Sequence, residues 1–289
     1  MSRRKRRQLR VDALRVGDGP QGVHRKDRPA ASSAPFREEG TVVSTKPVPI
    51  VNSLADPQSE VGEEFRLLCS KVRALRRDRP LDCLALVSAL PGEGKSTVSL
   101  GLATALAREP GQRILLVESD LRRPSISLDL GLSPLPGLGE WLNGGIQEVP
   151  VRLVRPGGFF LLSAGTIPLV DPESLSSARM DALLRAARQQ FDLVLLDATP
   201  ILPVADVVLI QDLVDGLLVV VRSRMTPREA ISEALGRIRS DKVIGIVLND
   251  HREYHDSYMA YAYQAYGMSK DRKDSSGPNG PVKPPSRAT

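Results

Sequence analysis

The densest chemistry in the sequence is the run Ser88-Ala89-Leu90-Pro91-Gly92-Glu93-Gly94-Lys95-Ser96-Thr97. A glycine-rich turn ending in Lys-Ser-Thr, placed after an apolar run and before a helix-length one, has the composition of a phosphate-binding loop. Gly92 and Gly94 carry no side chain that would block backbone amides, and the following helix would point its positive end at the same place. Lys95 would reach the β- and γ-phosphates, Ser96 would offer its hydroxyl to magnesium, and Thr97 in the first helical turn would face the α-phosphate. The expected cofactors are therefore ATP and Mg2+, with Pro91, Gly92, Glu93, Gly94, Lys95, Ser96 and Thr97 as contacts. Ala89 stands where such loops usually begin with glycine.

Phosphoryl transfer also needs carboxylates that hold the metal and orient the nucleophile. Two apolar runs end in them. Phe191 to Leu196 ends in Asp197, the expected Walker B aspartate, binding magnesium through water. Ile114 to Val117 ends in Glu118-Ser119-Asp120-Leu121-Arg122-Arg123-Pro124, where strand alternation puts Glu118 and Asp120 on one side. Lys95, Glu118, Asp120 and Asp197 are the expected catalytic residues, and Ser96, Asp120 and Asp197 the expected metal ligands. An acid at a strand end can also be a helix cap, and that reading stays open for Asp120 and for Asp206.

The elements that must position these groups follow from periodicity. Apolar runs at 83–87, 114–117, 159–162, 193–196, 216–221 and 243–248 predict strands, while 95–107, 172–190 and 227–238 have the length and period of helices. This alternation predicts an α/β fold: a mostly parallel central sheet with helices on both faces, and ligands at the carboxyl ends of its strands. A further helix is expected at 60–76, where Val61, Phe65, Leu68, Val72 and Leu75 recur at spacings of three and four. Four segments result. Residues 1–56 form a basic, proline-containing arm without order, 57–250 the P-loop domain, 251–268 a tyrosine-rich cluster, and 269–289 a disordered tail.

The net charge of +6 equals the six basic residues Arg3, Arg4, Lys5, Arg6, Arg7 and Arg10, so residues 11–289 balance. This removes the basic excess a nucleic-acid-binding domain would show and leaves the arm either solvated or in peripheral contact with anionic lipid. Cys69 and Cys83 have neither metal-ligand spacing nor disulfide density, which suits a reducing cytoplasm. No apolar run approaches the roughly 20 residues of a membrane span.

Taken together, these motifs resemble the bacterial tyrosine kinases of capsule and exopolysaccharide synthesis, the cytoplasmic type without a fused membrane segment. The resemblance covers about residues 60 to 267. It rests on Pro91 to Ser96, on Leu116 to Pro124, on Gly137 to Leu142, on Ser163-Ala164-Gly165 with Pro172-Glu173, on Asp197 with Pro200 and Asp206, and on Val247-Leu248-Asn249. It implies a P-loop NTPase fold and adds Arg122 and Asn249 to the nucleotide contacts. Glu118 stands where the family usually has aspartate. The resemblance also implies a homo-oligomer, a membrane polysaccharide co-polymerase as activator, and recruitment to the inner face of the cell membrane. Of the family's ring-assembly motif, Glu63 and Arg66 match and Cys69 replaces the last arginine.

All five tyrosines, Tyr254, Tyr258, Tyr261, Tyr263 and Tyr266, fall within thirteen residues after the domain. They are the expected autophosphorylation sites, although the spacing of the first three would also make one aromatic face of a docking helix. Two other functions share the architecture. A positioning ATPase would carry a second lysine early in the loop, at the place of Leu90. A nucleotide-binding regulatory subunit with weak catalysis would explain Ala89, Glu118 and Cys69.

Overall fold

Four runs, Cys83–Ser88, Ile114–Glu118, Leu193–Pro200 and Gly216–Arg222, form strands with almost no exposed residue on either face. Strands of that kind belong in the middle of a sheet covered on both sides. The computed structural model describes residues 9–12, 35–56, 59–133, 136–166 and 172–250. In chain order the elements are β1 (Leu9–Asp12), β2 (Phe36–Val43), α1 (Pro49–Ala55), α2 (Glu60–Asp78), β3 (Cys83–Ser88), α3 (Lys95–Leu106), β4 (Ile114–Glu118), α4 (Ile126–Leu130), α5 (Leu138–Leu142) and β5 (Val149–Arg155). They continue with β6 (Phe160–Leu162), α6 (Ala178–Gln190), β7 (Leu193–Pro200), α7 (Asp206–Ile210), β8 (Gly216–Arg222), α8 (Arg228–Arg237) and β9 (Val243–Asn249), with 3-10 turns at Pro172–Ser176 and Ser240–Lys242.

The nine strands form one sheet in the order β1-β9-β8-β3-β7-β4-β6-β5-β2. Only the β1–β9 and β5–β6 pairs are antiparallel. The P-loop strand β3 therefore lies between β8 and β7, and β7 lies between β3 and β4, so the loops that follow β3, β4 and β7 open at one edge of the sheet. Both faces are covered. Phe65 and Leu68 of α2 and Leu102 of α3 pack with Leu84, Leu116 and Leu195 on one side, while Leu183 and Leu184 of α6 and Ala234 of α8 pack with Ala85, Val117 and Leu196 on the other. Phe65 seats α2 on α3 because Gly101 leaves room for it. A Cβ at Gly101 would lie 2.2 Å from the ring.

The predicted mostly parallel sheet is present, with more strands than the sequence pattern gave. The predicted helix at 172–190 is divided: Ser177 caps α6 by accepting from the Met180 amide at 3.3 Å, and a 3-10 turn precedes it. The expectation of an unordered arm through residue 56 is corrected at Leu9–Asp12, which pairs with β9, and for its last part. Phe36–Val43 runs parallel to β5 at the sheet edge, and Pro49–Ala55 is a helix whose Val51 and Leu54 are buried. The strand escaped periodicity because Arg37, Glu38, Glu39 and Gly40 are exposed at the edge, so no alternation was required of it. Among the described residues, no helix is long and apolar enough to cross a membrane.

Candidate functional site

The loop between β3 and α3 turns on two glycines. Gly92 and Gly94 have φ of 80° and 92°, a region side chains rarely tolerate, and Gly94 is the N-cap of α3. Their neighbours brace the loop from beneath. The Glu93 carboxylate is buried and accepts from the Leu90 amide at 2.8 Å through Oε2, while Thr226 donates its hydroxyl to Oε1. Asn249, the last residue of β9, donates from Nδ2 to the Glu93 carbonyl at 2.8 Å. The side chains of Glu93 and Asn249, expected among the nucleotide contacts, are thus spent on holding the loop in shape. Pro91 and Gly92 are exposed at its tip.

Lys95, Ser96 and Thr97 open α3, with Thr97 half-buried in the first turn. Lys95 Nζ lies 3.5 Å from Asp120 Oδ2, both side chains about one-tenth exposed. Ser96 Oγ donates to Asp197 Oδ2 at 2.6 Å, and Ser99 Oγ donates to Oδ1 at 2.9 Å. Burial pushes the Asp197 carboxyl up to about 6, against the opposing pull of Lys95 and of the two serine hydroxyls. The structure thus brings Lys95, Ser96, Asp120 and Asp197 together at the carboxyl edge of the sheet. Ser99 escaped sequence reasoning, although its position one turn after Ser96 puts it on the same helix face. Thr226 escaped it too, since nothing local distinguishes it from any threonine that follows a strand.

Glu118 corrects the sequence expectation. It is register partner to Asp197 across β4 and β7, yet its carboxylate serves α4 and the end of β6 instead of the site. Oε1 accepts from the amides of Ile126 at 2.6 Å and Ser127 at 3.3 Å; Oε2 accepts from Ser127 Oγ at 2.6 Å and the Ala164 amide at 3.1 Å. A fully buried carboxylate with four protein donors has no lone pair free for a metal or a phenol. Asp120 remains, its second oxygen accepting from the Arg123 amide at 3.0 Å. Arg122, expected at the nucleotide, is held by Asp206 at 3.2 Å. Glu63 and Arg66 pair at 2.5 Å on α2, while Cys69 is buried beneath them. Tyr254, Tyr258, Tyr261, Tyr263 and Tyr266 and the basic residues at 3–7 lie outside the described residues.

The donor set fits the expected cofactors. Serine hydroxyl and carboxylate oxygens are hard ligands of the kind magnesium takes, and it needs only one or two from protein when phosphate and water supply the rest. Among the described residues, no cluster of three histidine, cysteine, aspartate or glutamate side chains forms a self-sufficient metal cage. Uncovered loop amides with Lys95 suit the phosphates.

No protein-family model matches the sequence. The chain is 31% identical over 225 residues to tyrosine-protein kinase YwqD of Bacillus subtilis, an alignment that covers 76% of this chain and 94% of that protein. It is 30% identical over 236 residues to the succinoglycan biosynthesis transport protein ExoP of Rhizobium meliloti, covering 78% of this chain but only 28% of ExoP. Among solved structures, the kinase domain of the Escherichia coli tyrosine kinase Etk superposes with a TM-score of 0.67 at 28% identity, over 74% of this chain and 84% of that one. A phosphate loop facing Asp120, just past β4, and Asp197 of β7, carried on a sheet that superposes on a tyrosine kinase domain and on a sequence aligned with nearly all of YwqD, places this chain in the bacterial tyrosine kinase family.

Proposed function

We propose that this protein is an ATP-dependent protein-tyrosine autokinase that phosphorylates Tyr254, Tyr258, Tyr261, Tyr263 and Tyr266 in its own C-terminal segment and thereby regulates exopolysaccharide or capsule synthesis or export. The observation that carries the reading is the convergence of Lys95 with Asp120 at 3.5 Å and of Ser96 with Asp197 at 2.6 Å beside a two-glycine loop.

Loop amides and Lys95 would hold the β- and γ-phosphates, and Ser96 and Asp197 would hold the magnesium. Bound magnesium supplies charge neutralisation on the β- and γ-phosphates. Asp120 takes the phenol proton as the tyrosine oxygen attacks the γ-phosphorus; the bond from that phosphorus to the β–γ bridging oxygen breaks, leaving ADP and phosphotyrosine. Glu118 stands outside this set and fixes the loop that carries Asp120.

The acceptor segment is reached from a neighbouring subunit of a homo-oligomer. Each phosphate adds about −1.5 to −2 charges, so several on one segment repel one another and loosen the assembly. The alignment with the succinoglycan biosynthesis transport protein ExoP supports a membrane polysaccharide co-polymerase as activating partner, and such a partner would recruit the protein from the cytoplasm to the inner membrane face. The basic residues of the arm supply a peripheral contact with anionic lipid. The kinase domain takes in β1, β2 and α1 ahead of residue 57 and runs to 250, with 251–268 as acceptor and 269–289 as tail.

Purified protein incubated with magnesium and ATP gains phosphotyrosine, while Lys95→Met and a variant with all five tyrosines changed to phenylalanine gain none. Wild type that hydrolyses ATP but stays free of phosphotyrosine, even with the cytoplasmic segment of a co-polymerase present, sinks the kinase reading.

A further inference from the structure

Among the described residues, one buried side-chain polar atom lacks a hydrogen-bond partner: Oγ1 of Thr199, a residue 1% exposed. A valine would fill the same volume without burying an unpaired hydroxyl, so the site carries a cost that packing does not require. Its place in the fold is specific. In β7 it follows Asp197 by two positions. Asp197 is opposite Leu86 of β3 and Pro200 is opposite Ser88, so Ala198 and Thr199 together face the single residue Val87. That is a β-bulge, a device that re-aims a side chain and gathers next to active sites.

The bulge is gripped on both sides by the catalytic loops. The Ile201 amide donates to the Ser88 carbonyl at 2.7 Å and the Leu202 amide to Ala89 at 3.2 Å, which fastens β7 to the start of the phosphate loop. On the other side the amides of Ser119 and Asp120 both donate to the Asp197 carbonyl at 3.0 Å. Ala198 is spent in the core on the α6 side. The Thr199 backbone therefore lies between the stretch of β7 fastened to the phosphate loop and the stretch fastened to Asp120, and its hydroxyl is buried there without a protein partner.

We propose that the Thr199 hydroxyl is a further catalytic group, donating a hydrogen bond to a non-bridging oxygen of the γ-phosphate. The charge that develops on that oxygen during transfer strengthens the bond, so the hydroxyl contributes more to the transition state than to binding. The proposal rests on the reading of the β3–α3 loop as an ATP site. It adds a contact that touches ATP and never ADP, which gives the test its readout.

Calorimetric affinities of wild type, Thr199→Val and Thr199→Ser for magnesium ADP and for magnesium β,γ-imido-ATP test it, beside rates of phosphotyrosine formation. Thr199→Val is expected to bind ADP as wild type does, to bind the imido analogue about tenfold more weakly, and to form phosphotyrosine about a hundredfold more slowly. Thr199→Ser restores both, and the nucleotide-free melting temperature of the valine variant is no lower than that of wild type. Equal affinities and rates for valine variant and wild type would overturn the proposal alone. So would equal losses for ADP and the imido analogue, or a lower melting temperature unrescued by serine, either of which makes Thr199 a packing residue. Wild type that binds neither nucleotide overturns the ATP-site reading and the proposal with it.

Discussion

Ser96 and Asp197 meet through a 2.6 Å hydrogen bond, with Ser99 donating to the other carboxylate oxygen at 2.9 Å. Two hydroxyls from consecutive turns of α3 thus orient a carboxylate whose burial lifts it to about 6. Because the folded protein holds this proton more tightly than the unfolded chain, the group favours folding below pH 4 and loses that contribution as the pH rises through 6. The change is about 3 kcal/mol for a shift of roughly two units. Denaturant unfolding in metal-free buffer is expected to show this fall between pH 4 and 7, and Asp197→Asn to lack it. Magnesium-nucleotide affinity runs the other way, weakening about tenfold per unit as the pH drops below 6.

Glu118 and Asp120, two residues apart, separate cleanly by readout. Glu118→Ala strands four buried donors and is expected to cost about 3 kcal/mol or more of stability, measured by denaturant unfolding, while the folded fraction still binds nucleotide. Asp120→Ala removes the partner of a Lys95 ammonium that is only about one-tenth exposed, so it also costs about 3 kcal/mol of stability, but its folded fraction forms no phosphotyrosine. A Glu118 variant of wild-type stability that has lost activity would show the assignment to be wrong.

The two loop glycines are not equivalent. Both have positive φ, but a Cβ at Gly92 meets nothing within 4 Å, whereas at Gly94 it lies 1.9 Å from Asn249 Nδ2. Gly92→Ala therefore carries backbone strain alone, about 1–3 kcal/mol. Gly94→Ala adds a collision with the residue that braces the loop, and is expected to weaken nucleotide binding at least about tenfold beyond Gly92→Ala. Titration of both variants with ADP decides it.

Cys69 and Cys83 are buried, and burial pushes both thiols up to about 12. At pH 8 about one in ten thousand is thiolate. Iodoacetamide labelling of the folded protein is expected to proceed at the rate of unfolding, and to become fast in denaturant. Rapid labelling in native buffer would contradict the burial.

Much of the site was legible because its chemistry is local. Lys95, Ser96 and the glycines share one turn, and Asp120 and Asp197 end apolar runs long enough to be read as strands. What escaped depends on neighbours distant in sequence. Glu118 has the same strand-end signature as Asp197, and only the approach of Ile126, Ser127 and Ala164 diverts it. Glu93 was expected at the ligand because it lies within the loop, and Asn249 because the family resemblance implied it; burial and partners make them braces. In the fold, β2 and α1 were missed because an edge strand has little to bury and a seven-residue helix has too few residues to show a period.

The brace on the phosphate loop spans 156 residues, from the Glu93 carbonyl to the Asn249 side chain. Closing so long a stretch of chain is entropically slow compared with forming the β3–α3 turn itself. During synthesis the loop sequence emerges early, but the side chain that fixes its shape belongs to the last strand, at the threshold of the tyrosine segment. A ribosome-bound chain ending before residue 249 would hold its core strands yet bind nucleotide poorly. Nucleotide competence therefore arrives only as β9 docks, after every other core strand has been made.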